Sequence, residues 1–310
     1  MRPRRLLTVV MSAALGAAII AGGAMAAGGR PASRTWSGFP VKKVEQALHA
    51  KGSVVHGVLS IGIERDDITG VHIGKTPIEP AFEINGEADF QPLSHGRAFL
   101  NGDIALKPSE LDPFISALLR NGLTFQAEHQ HMYDFKPIVW FIHYRGEGNP
   151  VKLANELHNA LKVTATPFPQ APPAHPHTSL DPKRLTKILH GYYYEVGNGG
   201  VVTVYVARRN PIYINGIHVK PQTNIATNIA FEPLGKKGGY AAVVPDFGMV
   251  ASEIDKVVGT MRSMGWDIGC LYNQETAEHP QLYFSHEFKV GNPYKLAEQV
   301  RKGLDRTNSY

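Results

Sequence analysis

Cysteine is almost absent: Cys270 is the single one in 310 residues. An intramolecular disulfide is therefore excluded, and the fold must rest on its core alone. No cysteine lies near the end of the N-terminal apolar run, which excludes a lipobox and the diacylglycerol anchor it would carry. A basic stripe is missing too. Lysine and arginine are dispersed in pairs such as Lys42-Lys43 and Lys236-Lys237, so nothing tracks a phosphate backbone and nucleic acid is not an expected partner. No serine stands in G-x-S-x-G, and Gly74-Lys75-Thr76 has Thr69 where a phosphate loop needs glycine. Cys270 falls at an apolar position and reads as structural and inert.

Arg2, Arg4 and Arg5 precede an apolar run from Leu6 to Ile20, and Ala24-Met25-Ala26 follows. A basic start, a short apolar stretch and an A-x-A site describe a secretory signal peptide over residues 1–26. Cleavage near Ala26 would lower the net charge from +5 to +2, because three arginines leave and no acid does. The expectation is an exported protein, periplasmic or secreted, with no lipid anchor. Oligomeric state is not legible.

The rest of the chain is a duplication. GNPVKLA at 148–154 returns as GNPYKLA at 291–297, an offset of 143 residues. The same offset aligns Ser109-Glu110 with Ser252-Glu253, Gly122 with Gly265, Pro137 with Pro280 and His143 with His286. One register held over so many positions marks two tandem repeats. They span 41–163 and 183–305, and a proline-rich connector at 164–182 joins them. The connector is expected to be extended and semi-rigid, not packed.

Within repeat one, 53–63 is β-rich and a further strand lies near 97–106. Ser109 to Asn121 has helical spacing of Leu111, Phe114, Ile115, Leu118 and Leu119, with Gly122 as its stop. Strands at 123–131 and 137–145 follow, then a helix opened by Asn149-Pro150. The β-α-β-β-α order predicts an α+β fold with an antiparallel, ferredoxin-like sheet covered by helices in each repeat.

His129 and His131 form an H-x-H pair in the strand at 123–131. Two imidazoles on one strand face stand about 7 Å apart at the backbone, a sound chelating pair for a divalent transition metal. Strict alternation puts them with Leu123 and Phe125 on the helix-facing side, at the core's rim. His143 is the candidate third ligand. A short turn at 132–136 would set it opposite Phe125, roughly 13 Å along the strand from His129, unless a longer loop or a bulge closes the gap. Because repeat two keeps His286 and replaces the pair with Tyr272 and Gln274, His143 and His286 also read as hydrogen-bonded structural residues.

GDIALKPSELDPFISALLRNGLTFQAEHQHM, PIVWFIHY and GNPVKLANELHNAL resemble the repeat of a bacterial family named for the mycobacterial lipoproteins LppY and LpqO. Gly102-Asp103, Glu110 to Pro113, Gly122, His129, His131, Met132 and His143 carry that resemblance in repeat one. Repeat two carries less of it, in Gly265, Pro280 and His286, and Gln130 departs from the usual asparagine. The resemblance implies a domain of unknown function and names no activity. Two readings follow. One is an exported protein made metal-dependent by His129, His131 and His143, with no catalytic residue assigned. The other is a non-catalytic module binding a small molecule or envelope component between the repeats.

Overall fold

Each repeat builds one six-stranded antiparallel sheet, and the two sheets face each other. The structure is a computed structural model and describes residues 38–171, 176–235 and 237–310. The signal-like residues 1–26 lie outside that range.

Repeat one begins with α1 (Val41–Leu48), β1 (Ser53–Val55), β2 (Val58–Glu64), β3 (His72–Ile73) and β4 (Thr76–Pro77). It continues with β5 (Asn85–Pro92), β6 (Ala98–Leu106), α2 (Leu111–Arg120), β7 (Thr124–His129), β8 (Phe135–Lys136), β9 (Trp140–Gly148) and α3 (Pro150–Leu161). Repeat two begins with α4 (Pro182–Leu189), β10 (Tyr193–Val196), β11 (Val202–Val206), β12 (Ile212–Ile214) and β13 (Ile217–Val219). It ends with β14 (Thr227–Pro233), β15 (Ala241–Met249), α5 (Ile254–Ser263), β16 (Asp267–Ile268), β17 (Glu278–His279), β18 (Tyr283–Gly291) and α6 (Pro293–Leu304).

The sheet orders are β1-β2-β5-β6-β9-β7 and β10-β11-β14-β15-β18-β16, the same topology twice. In each, two strands joined by a helix leave a gap that the next long strand fills antiparallel to both. Small three-stranded sheets, β4-β3-β8 and β13-β12-β17, complete the repeats. The expected helix ends hold: Gly122 and Gly265 adopt φ of 80° and 77°, a left-handed conformation that glycine takes without a Cβ clash. Asn149 and Asn292 cap α3 and α6 through their side chains.

Alternation assigns the two faces of each sheet. Ile142 and Tyr144 of β9 pack with Leu118 and Leu157 beneath the helices, as do Val243 and Phe247 of β15 with Met261 and Val300 in repeat two. The opposite faces meet each other: Ala105 and Phe141 of repeat one pack with Ala242, Val244 and Phe288 of repeat two. The layers thus run helices, sheet, sheet, helices, and the surface between the sheets is a shared core.

The connector departs from expectation. Residues 164–171 are packed against repeat one: Phe168 lies on its core, the buried Gln170 amide donates to Glu64 O, and Ala165 N donates to Glu110 Oε1. Its last residue, Pro182, already opens α4 as the N1 residue. Its backbone is satisfied at the end of α1, where Gln170 N donates to His49 O and Lys51 N to Gln170 O, and at Glu110 before α2, and this makes it part of the fold.

Candidate metal centre between the repeats

The placement of the H-x-H pair turns on one extra residue. Phe125 pairs with Tyr144, but Ala127 pairs with His143 and His129 with Phe141, so a β-bulge lies between Phe125 and Ala127. Before the bulge the odd positions face the helices. After it they face the opposite sheet. His129 and His131 are therefore not on the helix-facing side, as strict alternation predicts, but between the sheets. Repeat two has the same shift: Ile268 pairs with Glu287, whereas Tyr272 bridges Phe284.

The bulge and the connection through β8 also alter the position of His143. Its ring centroid is 5.1 Å from that of His129, not a dozen ångströms away along the strand. His286, its counterpart on β18, comes across from the other sheet. The ligand nitrogens of His129, His131 and His286 lie within 4.8 Å of one another, and all three residues are buried. His143 borders this group without belonging to it.

Stacking holds the rings in place. His129 stacks on Tyr272 with centroids 3.5 Å apart, so the residue aligned with it in repeat two is its platform. His131 lies between Phe141, at 3.4 Å, and His286, at 3.8 Å. A carboxylate orients His131, since its Nδ1 is 2.9 Å from Glu83 Oε2. Glu83 Oε2 is also 3.9 Å from His286 Nε2, and Asp246 Oδ1 is 3.9 Å from His286 Nδ1. Cys270 Sγ stands 3.2 Å from His286 Nδ1. The cysteine read as a core filler is thus a neighbour of the cluster, its thiol pushed up by burial. Sequence reasoning missed Glu83, Asp246 and Cys270. Asp246 had a signal, for it is aligned with Asp103 at the repeat offset and sits opposite His286 in the ladder as Asp103 sits opposite His143.

Polar atoms in this region lack protein partners. Both ring nitrogens of His129, both of His143 and Oδ1 of Asp246 are buried with no hydrogen bond. His143 is thus not the hydrogen-bonded structural residue expected from its duplication. Burial lowers the imidazole pKa of His129 and His131 well below the usual range, and takes His143 and His286 down to about 3. All four are neutral at pH 7, the form that binds metal. Burial, then the nearby Asp246 and Asp103, push the Glu83 carboxyl well up. Orphaned buried nitrogens beside displaced carboxyls are costly in a protein-only setting and are what a cation relieves.

Gly269 lets the two repeats close here. A Cβ on it would meet His131 O and Met132 Sδ. Gly269→Ala is expected to push repeat two off the end of β7, destabilising the fold by roughly 1–3 kcal/mol through overpacking. A thermal melt of the variant checks this, and an unchanged Tm would refute the close approach.

Comparison with protein families finds one match, described as "Domain of Unknown Function (DUF1259)", over residues 42–163 and again over 184–306. The chain belongs to this family. It carries the DUF1259 domain twice, and the histidine cluster is assembled from both copies. Comparison with curated proteins and with solved structures returned no match.

Proposed function

We propose that this DUF1259 protein is an exported metal-binding protein whose divalent transition metal is held between the repeats by His129, His131 and His286. One observation carries the reading: three buried imidazoles from two sheets converge within 4.8 Å, and one of them, His129, has neither nitrogen hydrogen-bonded. Imidazole is a good ligand for zinc, copper, iron and nickel. His131, with Nδ1 engaged by Glu83, has Nε2 free for the ion, and Glu83 fixes the ring as an outer carboxylate commonly does. Glu83 and Asp246 supply the negative charge that offsets the cation. Three protein nitrogens leave a coordination position for water or a ligand, where a bound ion can act as a Lewis acid. His131 and His286 also line the inter-sheet cavity, so a molecule bound there reaches the ion. His143, named from the sequence as a ligand, is better placed as a residue beside the ion.

Export is supported by the signal-like residues 1–26 and by the resemblance to the LppY and LpqO proteins. Among the described residues, no helix is long and apolar enough to cross a membrane.

The test is elemental mass spectrometry of the untagged protein recovered from the medium or periplasm of producing cells, beside His129→Ala/His131→Ala. About one equivalent of metal in the parent and none in the variant is the expected result. Absence of metal from the parent, even after incubation with zinc, copper, iron and manganese salts, would sink the reading.

A further inference from the structure

Next to the histidine cluster, between the two sheets, is a cavity of about 240 Å³. Its wall is unusually one-sided in charge. Glu64, Glu83, Glu87, Asp103, Glu195 and Asp246 line it, and among the described residues the one lysine or arginine in the lining is Lys51. That side chain is 61% exposed and lies 3.4 Å from Glu45 Oε2, so it does not serve the cavity. Most of the acidity belongs to repeat one. In the strand ladders Glu87 stands opposite Asp103, and at the matching place in repeat two Asn228 stands opposite Asp246. The uncharged Asn228 at that place leaves repeat one the more acidic of the two walls.

One unpartnered group stays unexplained by a metal at the imidazoles. Both nitrogens of His143, which is outside the converging group, have no hydrogen bond, and the residue lines the cavity at 2% exposure. A metal at the imidazoles accounts for Glu83 and Asp246, but it leaves the half-buried Glu87 and Asp103 without a counter-charge, with the exposed Glu195 adding to the acidity of the same lining. A second ion fits poorly. Among the described residues, the group of histidine, cysteine and acidic donors that converges within 4.8 Å is His129, His131 and His286. The remaining carboxylates are spread along the wall, which suits a polyatomic cation better than a point charge.

Aromatic rings flank the same space. Tyr193 and Tyr205 line the cavity with their centroids 5.8 Å apart, and Tyr205 donates a 2.5 Å hydrogen bond to Glu195 Oε1. Ring faces beside carboxylates form a recurrent environment for ammonium groups. A volume under the roughly 300–1,000 Å³ of drug-sized sites calls for a small ligand.

We propose that this cavity binds a small organic cation, a protonated amine, with Glu87, Asp103 and Glu195 as counter-charges and Tyr193 and Tyr205 as its aromatic flank. Burial, then Asp89, Asp103 and Glu195, push the Glu87 carboxyl well up, and burial takes Asp103 up to about 7. A bound ammonium reverses both shifts by placing an opposite charge beside them. The ligand would lie between the sheets and next to the ion, so the proposal identifies the substrate class for that centre. Its binding does not depend on the ion, because Glu87 and Glu195 are not among the proposed ligands.

Isothermal titration calorimetry of the full chain, stripped of metal by chelation, tests the proposal. Ethanolamine, putrescine and glucosamine are titrated beside ethylene glycol, 1,4-butanediol and glucose, which match them in shape without the charge. At least one amine is expected to bind one-to-one, with its neutral counterpart weaker by about tenfold or more. Glu87→Gln/Glu195→Gln, which keeps shape and volume, is expected to weaken the amine by about tenfold with an unchanged circular dichroism spectrum. Equal binding of a neutral counterpart would make this a polyol site and overturn the assignment. No binding by any of the three amines would overturn it, as would full affinity in the double variant. Because the titration uses stripped protein, absence of a metal in the parent leaves its result intact, and the two readings fail separately.

Discussion

His286→Ala is expected to abolish metal retention as completely as loss of the H-x-H pair, although His286 is 155 residues from His131 in the chain. The argument is geometric. His129, the last residue of β7, and His131 just beyond it are alone two ligands from one segment, and a buried site needs a third to hold an ion against exchange. His286 brings the third nitrogen within 4.8 Å from the other sheet. Its removal is expected to weaken the ion by at least roughly 100-fold, beyond what losing an outer-shell partner costs. His143→Ala is the informative control. Its ring is 5.1 Å from His129, yet its nitrogens are outside the converging group, so metal content should fall little. Metal-binding titrations on both variants decide the matter. Retention in His286→Ala with loss in His143→Ala would move the centre into repeat one alone. An ion held by His129, His131 and His286 would bridge the repeats, so saturating metal should also raise Tm, and this increment should vanish in His286→Ala.

Much of the fold was readable because the chain states it twice. Gly122 and Gly265, Pro150 and Pro293, and Glu110 and Glu253 recur at one offset, and each marks a local event that needs no tertiary knowledge. Elements bounded by such residues fell within a few positions of where they were expected. The face of the histidines was not readable. Alternation has period two, so one bulged residue reverses every assignment after it. Gln126 bears no mark of the bulge; its amide is buried and donates to Asn101 Oδ1, a contact made possible by β6 lying beyond β9. The centre was half-readable for a related reason. The pair stands in one short segment of sequence, but its partner was discounted because both repeats keep it. Duplication implied a structural role only so long as the repeats were taken separately. Once their sheets face each other, Tyr272 stacks on His129 and His286 on His131, and the residues that differ between repeats and those that match act together.

Replacing Arg65 is expected to give the largest loss of stability of any single change outside the centre. Its side chain is 0% exposed, and the guanidinium donates to both oxygens of Glu110 at 3.0 and 2.8 Å, to Asp67 Oδ1 at 2.8 Å and to Ala105 O. Glu110 in turn accepts from Lys107 N and Ala165 N, each at 2.8 Å. One ion pair thus ties the end of β2 to the last turn of β6, the start of α2 and the first residues of the connector. Repeat two reproduces it at the same offset: Arg208 donates to Glu253 and to Gly248 O, and Glu253 accepts from Val250 N and Asn308 N. In both copies the pair replaces backbone partners that the strand-to-helix turn cannot supply. Removing one member leaves the other charge buried and uncompensated, at a cost of about 3–5 kcal/mol. For a chain of this size that corresponds to a fall in Tm of roughly 10 °C for Arg65→Ala. Arg65→Lys should recover only part of it, because an ammonium cannot serve Glu110, Asp67 and Ala105 O in one plane. Arg65→Ala/Glu110→Ala should be less unstable than the sum of its single changes, since no lone charge remains. Calorimetric melts of these three variants and of Glu110→Ala test this. A single-variant Tm within about 2 °C of the parent would show that the network is ornamental, and additive losses would show that its worth lies in packing and not in charge.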